Sequence, residues 1–289
     1  MKDFVIISDT TCDLPASYVE KHNLKIVPLC YTLDGVVYGA ENQMSIIEFY
    51  KHMRDGKMPS TMAGVPEEIK DIFLDCINNG KDILYVCFSS ALSSTYNNAM
   101  IIANELKEDY PDAKIHVIDS LAAALGEGLL VHKAVIMKEK GASIDEVATW
   151  LEENKLNLGH IFTVNDLFHL HRGGRVSKTT AIVGTLINVK PVLHVNDEGR
   201  LVSLCNVRGR KKALAALVDK MAELVEGYTG ENNDIFIGHG DCLEDAKYVA
   251  DMVKEKLGFN NIMIDYISPT IGAHAGPGTV ALFFMGNHR

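Results

Sequence analysis

Ile83-Leu84-Tyr85-Val86-Cys87-Phe88-Ser89-Ser90-Ala91-Leu92-Ser93-Ser94-Thr95-Tyr96 is the stretch on which the fold turns. Its unbroken apolar start predicts a strand covered on both faces. A hydroxyl-rich segment follows. Tyr96, Ala99, Ala103 and Leu106 then recur at helical spacing. The same grammar appears upstream, where Phe4 to Ile7 runs into Asp9-Thr10-Thr11-Cys12-Asp13-Leu14-Pro15. It appears again downstream, where Ile115 to Ile118 precedes Asp119-Ser120 and a helix carrying Leu125, Leu129 and Val135. Strands alternating with helices imply βαβ units and a mostly parallel, Rossmann-like sheet.

Shorter signals fill in this first part. Asp13 reads as an N-cap, with Pro15 near a helix start. Lys25 to Thr32 reads as a second strand, and Asp34-Gly35 as a hairpin turn into Val36-Val37-Tyr38. Ser45 and Glu48 form a capping-box pattern. A helix over Ile144 to Leu156 leads to a strand over Ile161 to Val164, and the organisation changes near there. Val189 to Val195, the turn Asp197-Glu198-Gly199 and Leu201 to Val207 read as a hairpin. A helix over Ala213 to Val225, strands over Ile235 to Gly238 and Ile262 to Tyr266, and a helix over Leu243 to Leu257 come next. A glycine-rich loop, Gly272 to Gly278, then leads to a last strand, Val280 to Phe284. The expectation is an α/β protein of two domains. Residues 1–158 form the first, and residues 159–289 form a second with a mixed sheet.

Composition narrows the function. The 289 residues are 47% hydrophobic and 23% charged, ordinary for a globular chain. The net charge is 28 − 38 = −10, which argues against general nucleic-acid binding. No apolar run is long enough to cross a bilayer. The first residues read as a strand and not as a signal peptide, so a cytoplasmic protein is expected. The six cysteines are scattered without a C-x-x-C pair, which suggests neither a zinc site nor a disulfide framework. Cys12, near a strand end, is a candidate thiol with no basic partner close in sequence.

Four segments can carry chemistry. Ser93 lies where a strand gives way to a helix, the place where open parallel sheets bind ligands. Unpaired N–H groups and the helix dipole favour an anion there; the plainer alternative is a capping serine. Thr61 precedes a second helix and offers another hydroxyl, or is simply a loop threonine. His274 sits among Gly272, Gly276, Pro277 and Gly278, a setting that either presents an imidazole to a ligand or merely makes a tight turn. Arg172-Gly173-Gly174-Arg175 and Arg208-Gly209-Arg210-Lys211-Lys212 are basic clusters in an acidic chain, suited to phosphate or an acidic partner, or to a solvated surface. His169 and His171 do not have metal-pair spacing. The chain has no Walker pattern and no G-x-S-x-G elbow.

Taken together, Asp9 to Pro15, Leu92-Ser93-Ser94-Thr95-Tyr96, Gly173-Gly174-Arg175-Val176-Ser177 and Gly272 to Gly278 resemble the signature stretches of the DegV family, in order and across the whole chain. The resemblance implies a two-domain α/β protein that holds one long-chain fatty acid in a tunnel between its domains. It implies no cofactor and no turnover. The bound acid would be presented to a separate fatty acid kinase, which makes the acyl-phosphate for phospholipid synthesis, and a transient membrane contact is compatible with that role. On this resemblance the carboxylate-binding residues fall on Thr61, Ser93 and His274. Arg175 and Arg208 fall near the acyl-phosphate or the kinase surface. The sequence departs from the family pattern at Met62 and Ala63, where Ser-Gln is usual, at Ser94, where glycine is usual, and at Ala124, often serine. The rival expectation is an esterase or acyltransferase with Ser93 as nucleophile and His274 as base.

Overall fold

The structure is a computed structural model that describes residues 2–39, 41–165, 167–177, 188–231 and 233–289. The first part runs β1 (Phe4–Asp9), α1 (Ala16–Lys21), β2 (Lys25–Val27), β3 (Tyr31–Leu33), β4 (Val36–Tyr38), α2 (Ile46–Arg54), β5 (Ser60–Thr61), α3 (Pro66–Asn78), β6 (Asp82–Cys87), α4 (Thr95–Asp109), β7 (Ile115–Asp119), α5 (Leu125–Glu139) and α6 (Ile144–Asn154). The second runs β8 (Leu158–Thr163), α7 (Phe168–Arg172), β9 (Val189–Val195), β10 (Leu201–Arg208), α8 (Arg210–Val225), β11 (Ile235–His239), α9 (Leu243–Leu257), β12 (Ile262–Tyr266), α10 (Pro269–Ala275) and β13 (Val280–Met285).

Four strands make a fully parallel sheet in the order β2-β1-β6-β7. Six make a mixed sheet in the order β10-β9-β8-β13-β11-β12, in which β11 and β12 are the parallel pair. A small antiparallel sheet, β4-β3-β5, stands apart. The expected α/β class, with a parallel sheet first and a mixed sheet second, is therefore observed.

The layers follow from which side chains each face must bury. Ile7, Ile83 and Tyr85 pack with Phe73 of α3 and Ala103 and Leu106 of α4. The other face of the parallel sheet, with Ile6, Leu84 and Val86, meets Leu129 and Leu130 of α5 and Leu151 of α6. That same cluster continues into Phe162, Phe236 and Phe283 of the mixed sheet. Helix α5 is thus covered on two sides, and ten of its fifteen residues are buried. The far face of the mixed sheet, with Ile161, Leu282 and Phe284, packs on Leu217 of α8 and Val249 of α9. Neighbours Leu282 and Phe283 point to opposite faces, as the pleat demands. An ion pair also bridges the layers: Lys133 of α5 donates to Asp234, beside β11, at 2.8 Å, and both are buried.

Three local expectations are corrected. Lys25 to Thr32 is not one strand. It breaks after Val27 at Pro28, and Tyr31 joins the small sheet. Proline lacks the N–H a continuing ladder needs. Asp13 does not cap α1. It adopts φ 55° after a short 3-10 turn, and its carboxylate accepts from the Ser268 N–H at 3.1 Å. The segment from Gly272 to Ala275 is helical, the last turn of α10, and the loop is confined to Gly276, Pro277 and Gly278, which the chain enters at Gly276 with φ 81°. Cys12 is buried, and burial pushes its thiol up, which removes it as a nucleophile.

Candidate functional site

A cavity of about 220 Å³ is lined by residues from both parts of the chain. Its lining draws on Thr61 and Ser93 from the first part, and on Arg175 and His274 from the second. Most of the remaining lining is apolar, with Leu29, Phe88, Phe162, Leu201, Ile271 and Ala281 among it, and Ser94, His160, Thr270 and Thr279 add polar groups. Four of the polar residues are tied together by short contacts: Thr61 meets His274, and Arg175 holds the carbonyl of Leu92, next to Ser93.

Each polar residue is placed by its element. Thr61 ends β5, whose partner Tyr31 fixes its register. The Thr61 hydroxyl meets His274 Nε2 at 2.8 Å. His274 is held on α10. Arg172 braces this contact by donating to the carbonyls of Pro59 (3.1 Å) and Ala273 (3.0 Å), one next but one to Thr61 and one next to His274. Gly173 lies flat against the imidazole, where a Cβ would overlap the ring. The ring is neutral at ordinary pH. Burial, then the charges of Arg175 and Arg172, push its pKa from 6.5 down to about 4.

Ser93 lies just before α4. Its Oγ is 2.9 Å from Thr95 Oγ1 and accepts from the Thr95 N–H at 3.3 Å. Thr95 in turn accepts from the Gly64 N–H at 3.0 Å, which ties the loop after β5 to the helix start. Ser94 caps nothing with its side chain and lines the cavity. Not every hydroxyl is available. Ser89 donates to the Gly199 carbonyl at 2.9 Å, and Thr270 donates to that of Leu29 at 2.8 Å. Arg175 grips the Leu92 carbonyl through Nε and Nη2, at 3.2 and 2.9 Å. Its described hydrogen bonds all go to carbonyls, so its positive charge is not cancelled by a carboxylate bonded to it.

The structure therefore brings Thr61, Ser93, His274 and Arg175 to one cavity. Arg208 is elsewhere: it ends β10, exposed, outside the lining. The four positions that depart from the family pattern, Met62, Ala63, Ser94 and Ala124, all line the cavity. Sequence reasoning missed His160, on β8, which also lines it. Nothing in a lone histidine within an apolar strand marks it; only the register of β8 on β13 does.

Chemically, these residues offer two hydroxyls, a neutral imidazole, a guanidinium and the start of a fifteen-residue helix, a set of donors for one anion. It is not arranged as a nucleophile relay. His274 Nε2 is engaged with Thr61, and no described residue orients Nδ1, whereas a serine hydrolase holds that nitrogen with a carboxylate. Among the described residues no cluster fit for a metal ion is found. No helix among them is long and apolar enough to cross a membrane.

Comparison with known proteins agrees with the geometry. A family profile described as "Uncharacterised protein, DegV family" matches residues 3–287. A DegV domain-containing protein of Clostridium perfringens is 44% identical, with 100% of this chain and 99% of that protein covered. Among solved structures, a stearic acid-binding protein from Eubacterium ventriosum is similar at a TM-score of 0.90 and 27% identity, covering 98% of each chain. A DegV family protein from Thermus thermophilus, described for its fatty acid binding, gives 0.87 at 26% identity over 99% of this chain and 100% of that one. By profile and by whole-length identity alike, this chain belongs to the DegV family.

Proposed function

We propose that this protein is a carrier that binds one long-chain fatty acid between two domains, residues 1–158 and 159–289, without turnover of its own. Thr61, Ser93 and His274 hold the carboxylate, and Arg175 adds positive charge beside them. The acyl chain runs along the apolar walls. The observation that carries this reading is the make-up of the cavity: donors from four distant segments of the chain line it together with a largely apolar wall. The relatives from Eubacterium ventriosum and Thermus thermophilus, which bind fatty acids, support it.

The energetics suit a lipid. Each buried methylene contributes about 0.8 kcal/mol, so roughly fourteen contribute about 11 kcal/mol before association costs. The tail supplies most of the affinity and the head group supplies orientation. In this role the carrier, working in the cytoplasm, presents the carboxylate to a separate fatty acid kinase. Exposed Arg208 then belongs to the surface that meets the kinase, with Arg175 nearer the reacting carboxylate.

Native mass spectrometry of delipidated protein tests the carrier role. A mass increment of one fatty acid should return on incubation with stearic or oleic acid. Unchanged affinity in the Ser93→Ala, His274→Ala double variant would refute the head-group assignment. For the kinase, Arg208→Glu should slow phosphorylation of the bound acid while leaving lipid binding intact.

A further inference from the structure

His160 is a polar group on the cavity wall, flanked by two phenylalanine rings. It sits on β8, opposite Phe283 of β13, with the two ring centroids 4.6 Å apart, and Phe162 lies at 5.8 Å. It is only 4% exposed. Nδ1 is sealed against α5 near Gly126 and has no hydrogen-bond partner among the described residues. Nε2 likewise meets no described partner, and it is the nitrogen left to open onto the cavity that the ring lines. Burial holds the ring neutral, its pKa well below the usual 6.5. The charges that face the ring differ from those around the head group: Arg289 and His194 act on His160, whereas Arg175 and Arg172 act on His274. Strand register keeps the two imidazoles apart: His160 pairs with Phe283, four residues (about 13 Å) along from Thr279, whose hydroxyl bonds the carbonyls of Ala275 and Gly276 at the end of the helix that carries His274. Arg289 itself is occupied, donating to the carbonyls of Ser120, Leu121 and Lys155.

Nδ1 stays unpaired whatever the cavity holds, so the tautomer that keeps only a lone pair there costs least, and Nε2–H is then a donor that a purely apolar ligand leaves without an acceptor. A plain hydrocarbon tail leaves the ring unpaired. A second carboxylate does not suit it either, since a neutral ring provides no counter-charge. An uncharged oxygen does, because it can accept from Nε2–H. We propose that the cavity is built for a fatty acid bearing an uncharged oxygen, a hydroxyl or keto group, along its tail, with His160 Nε2 as the recognising atom. This rests on the carrier reading above and refines its ligand class.

The test measures the affinity of delipidated protein for octadecanoic acid and for a set of hydroxyoctadecanoic acids, the hydroxyl moved stepwise from the carboxylate to the methyl end. One positional isomer should bind about tenfold more tightly than the unsubstituted acid, equivalent to about 1.4 kcal/mol. The preference should vanish in His160→Leu and persist in part in His160→Gln. Tight binding of the unsubstituted acid by each variant shows that it is folded. If a variant does not fold, the nitrogen NMR shifts of His160 in the wild-type protein decide, since they should move with the preferred isomer and not with the plain acid. Equal affinity for all the acids, or a preference that survives in His160→Leu, overturns the inference while leaving the carrier intact. Binding of none of them overturns the carrier reading itself.

Discussion

Thr61 and His274 lie 213 residues apart in sequence, yet the threonine hydroxyl and the imidazole Nε2 meet at 2.8 Å. Neither element could hold that contact alone. Strand β5 is two residues long and α10 only seven. The contact exists because Arg172 clamps a carbonyl near each residue and because α10 packs against the small sheet and α2. The head-group end is thus a junction of three short segments, rigid only when all are assembled.

Gly173 is the tightest part of that junction. A methyl group there would overlap the His274 ring. Gly173→Ala should turn the imidazole away from Thr61 and weaken fatty acid binding about tenfold, the worth of one or two hydrogen bonds of about 1 kcal/mol each. Thermal stability should change little, because position 173 lies outside the main core. Calorimetric titration with oleate, alongside a thermal melt, checks both halves.

The protonation of His274 gives a pH signature. Its folded pKa is about 4, below the 6.5 of an unperturbed histidine. Between those values the unfolded chain holds a proton that the folded chain does not. This residue therefore contributes stability that is fully present above 6.5, falls as pH drops, and is exhausted below about 4. Against His274→Asn, the wild type should lose relative stability across that window in urea unfolding. An NMR titration of the ring should show the low midpoint, and Arg175→Gln should raise it by removing a repelling charge.

Glu127 predicts the opposite sign. It is fully buried, with Oε1 2.8 Å from the Ser8 hydroxyl and Oε2 3.0 Å from that of Thr11. Thr11 also bonds Asp9 through the same oxygen. A hydroxyl has one proton to give, so the second acid must be protonated and donate to it. Burial, then the Asp9 charge, keep the Glu127 carboxyl well above its usual range. A raised pKa means stability that is full below the unfolded value of 4.5 and is lost as pH rises. Glu127→Gln, neutral and isosteric, should match the wild type near pH 4 within about 1 kcal/mol and exceed it progressively above. Glu127→Ala should lie about 2–4 kcal/mol below Glu127→Gln at every pH, because it leaves the hydroxyls unpaired around a cavity. Chemical denaturation across pH distinguishes these outcomes.

The Lys133–Asp234 pair links α5 to the mixed sheet. Asp234 also accepts from Asn261 at 2.6 Å and lies 3.5 Å from His132. Hydrogen bonding from His132 and Lys133 keeps its carboxyl below the usual range. Lys133→Met should destabilise the protein by about 3–5 kcal/mol, because it strands a buried carboxylate. Adding Asp234→Leu should restore much of that loss. If the double variant is no more stable than the single one, the pair is not what Lys133 contributes.

Much of the fold was legible because burial has a period. The continuous apolar runs at β1, β6 and β7 and the helical spacing in α4 and α9 reappear nearly residue for residue. Errors fell where a local signal had a tertiary competitor. Pro28 diverted a promising strand into another sheet. Asp13, a plausible cap by position, was claimed by Ser268 from 255 residues away. The glycines around His274 suggested a loop, yet Gly272 is inside a helix whose close approach to Tyr50 and Phe49 leaves no room for a side chain.

The sequence by itself determined the α/β class, the change from a parallel to a mixed sheet, and the residue types able to hold an anion, since these depend on local spacing and on the chemistry each side chain carries. Only the tertiary structure decided that Thr61, Ser93, His274 and Arg175 share one cavity while Arg208 does not, and that His160 lines the same cavity. Strand register and layer packing set those distances, and they are fixed by contacts between residues hundreds of positions apart, to which no local pattern is sensitive.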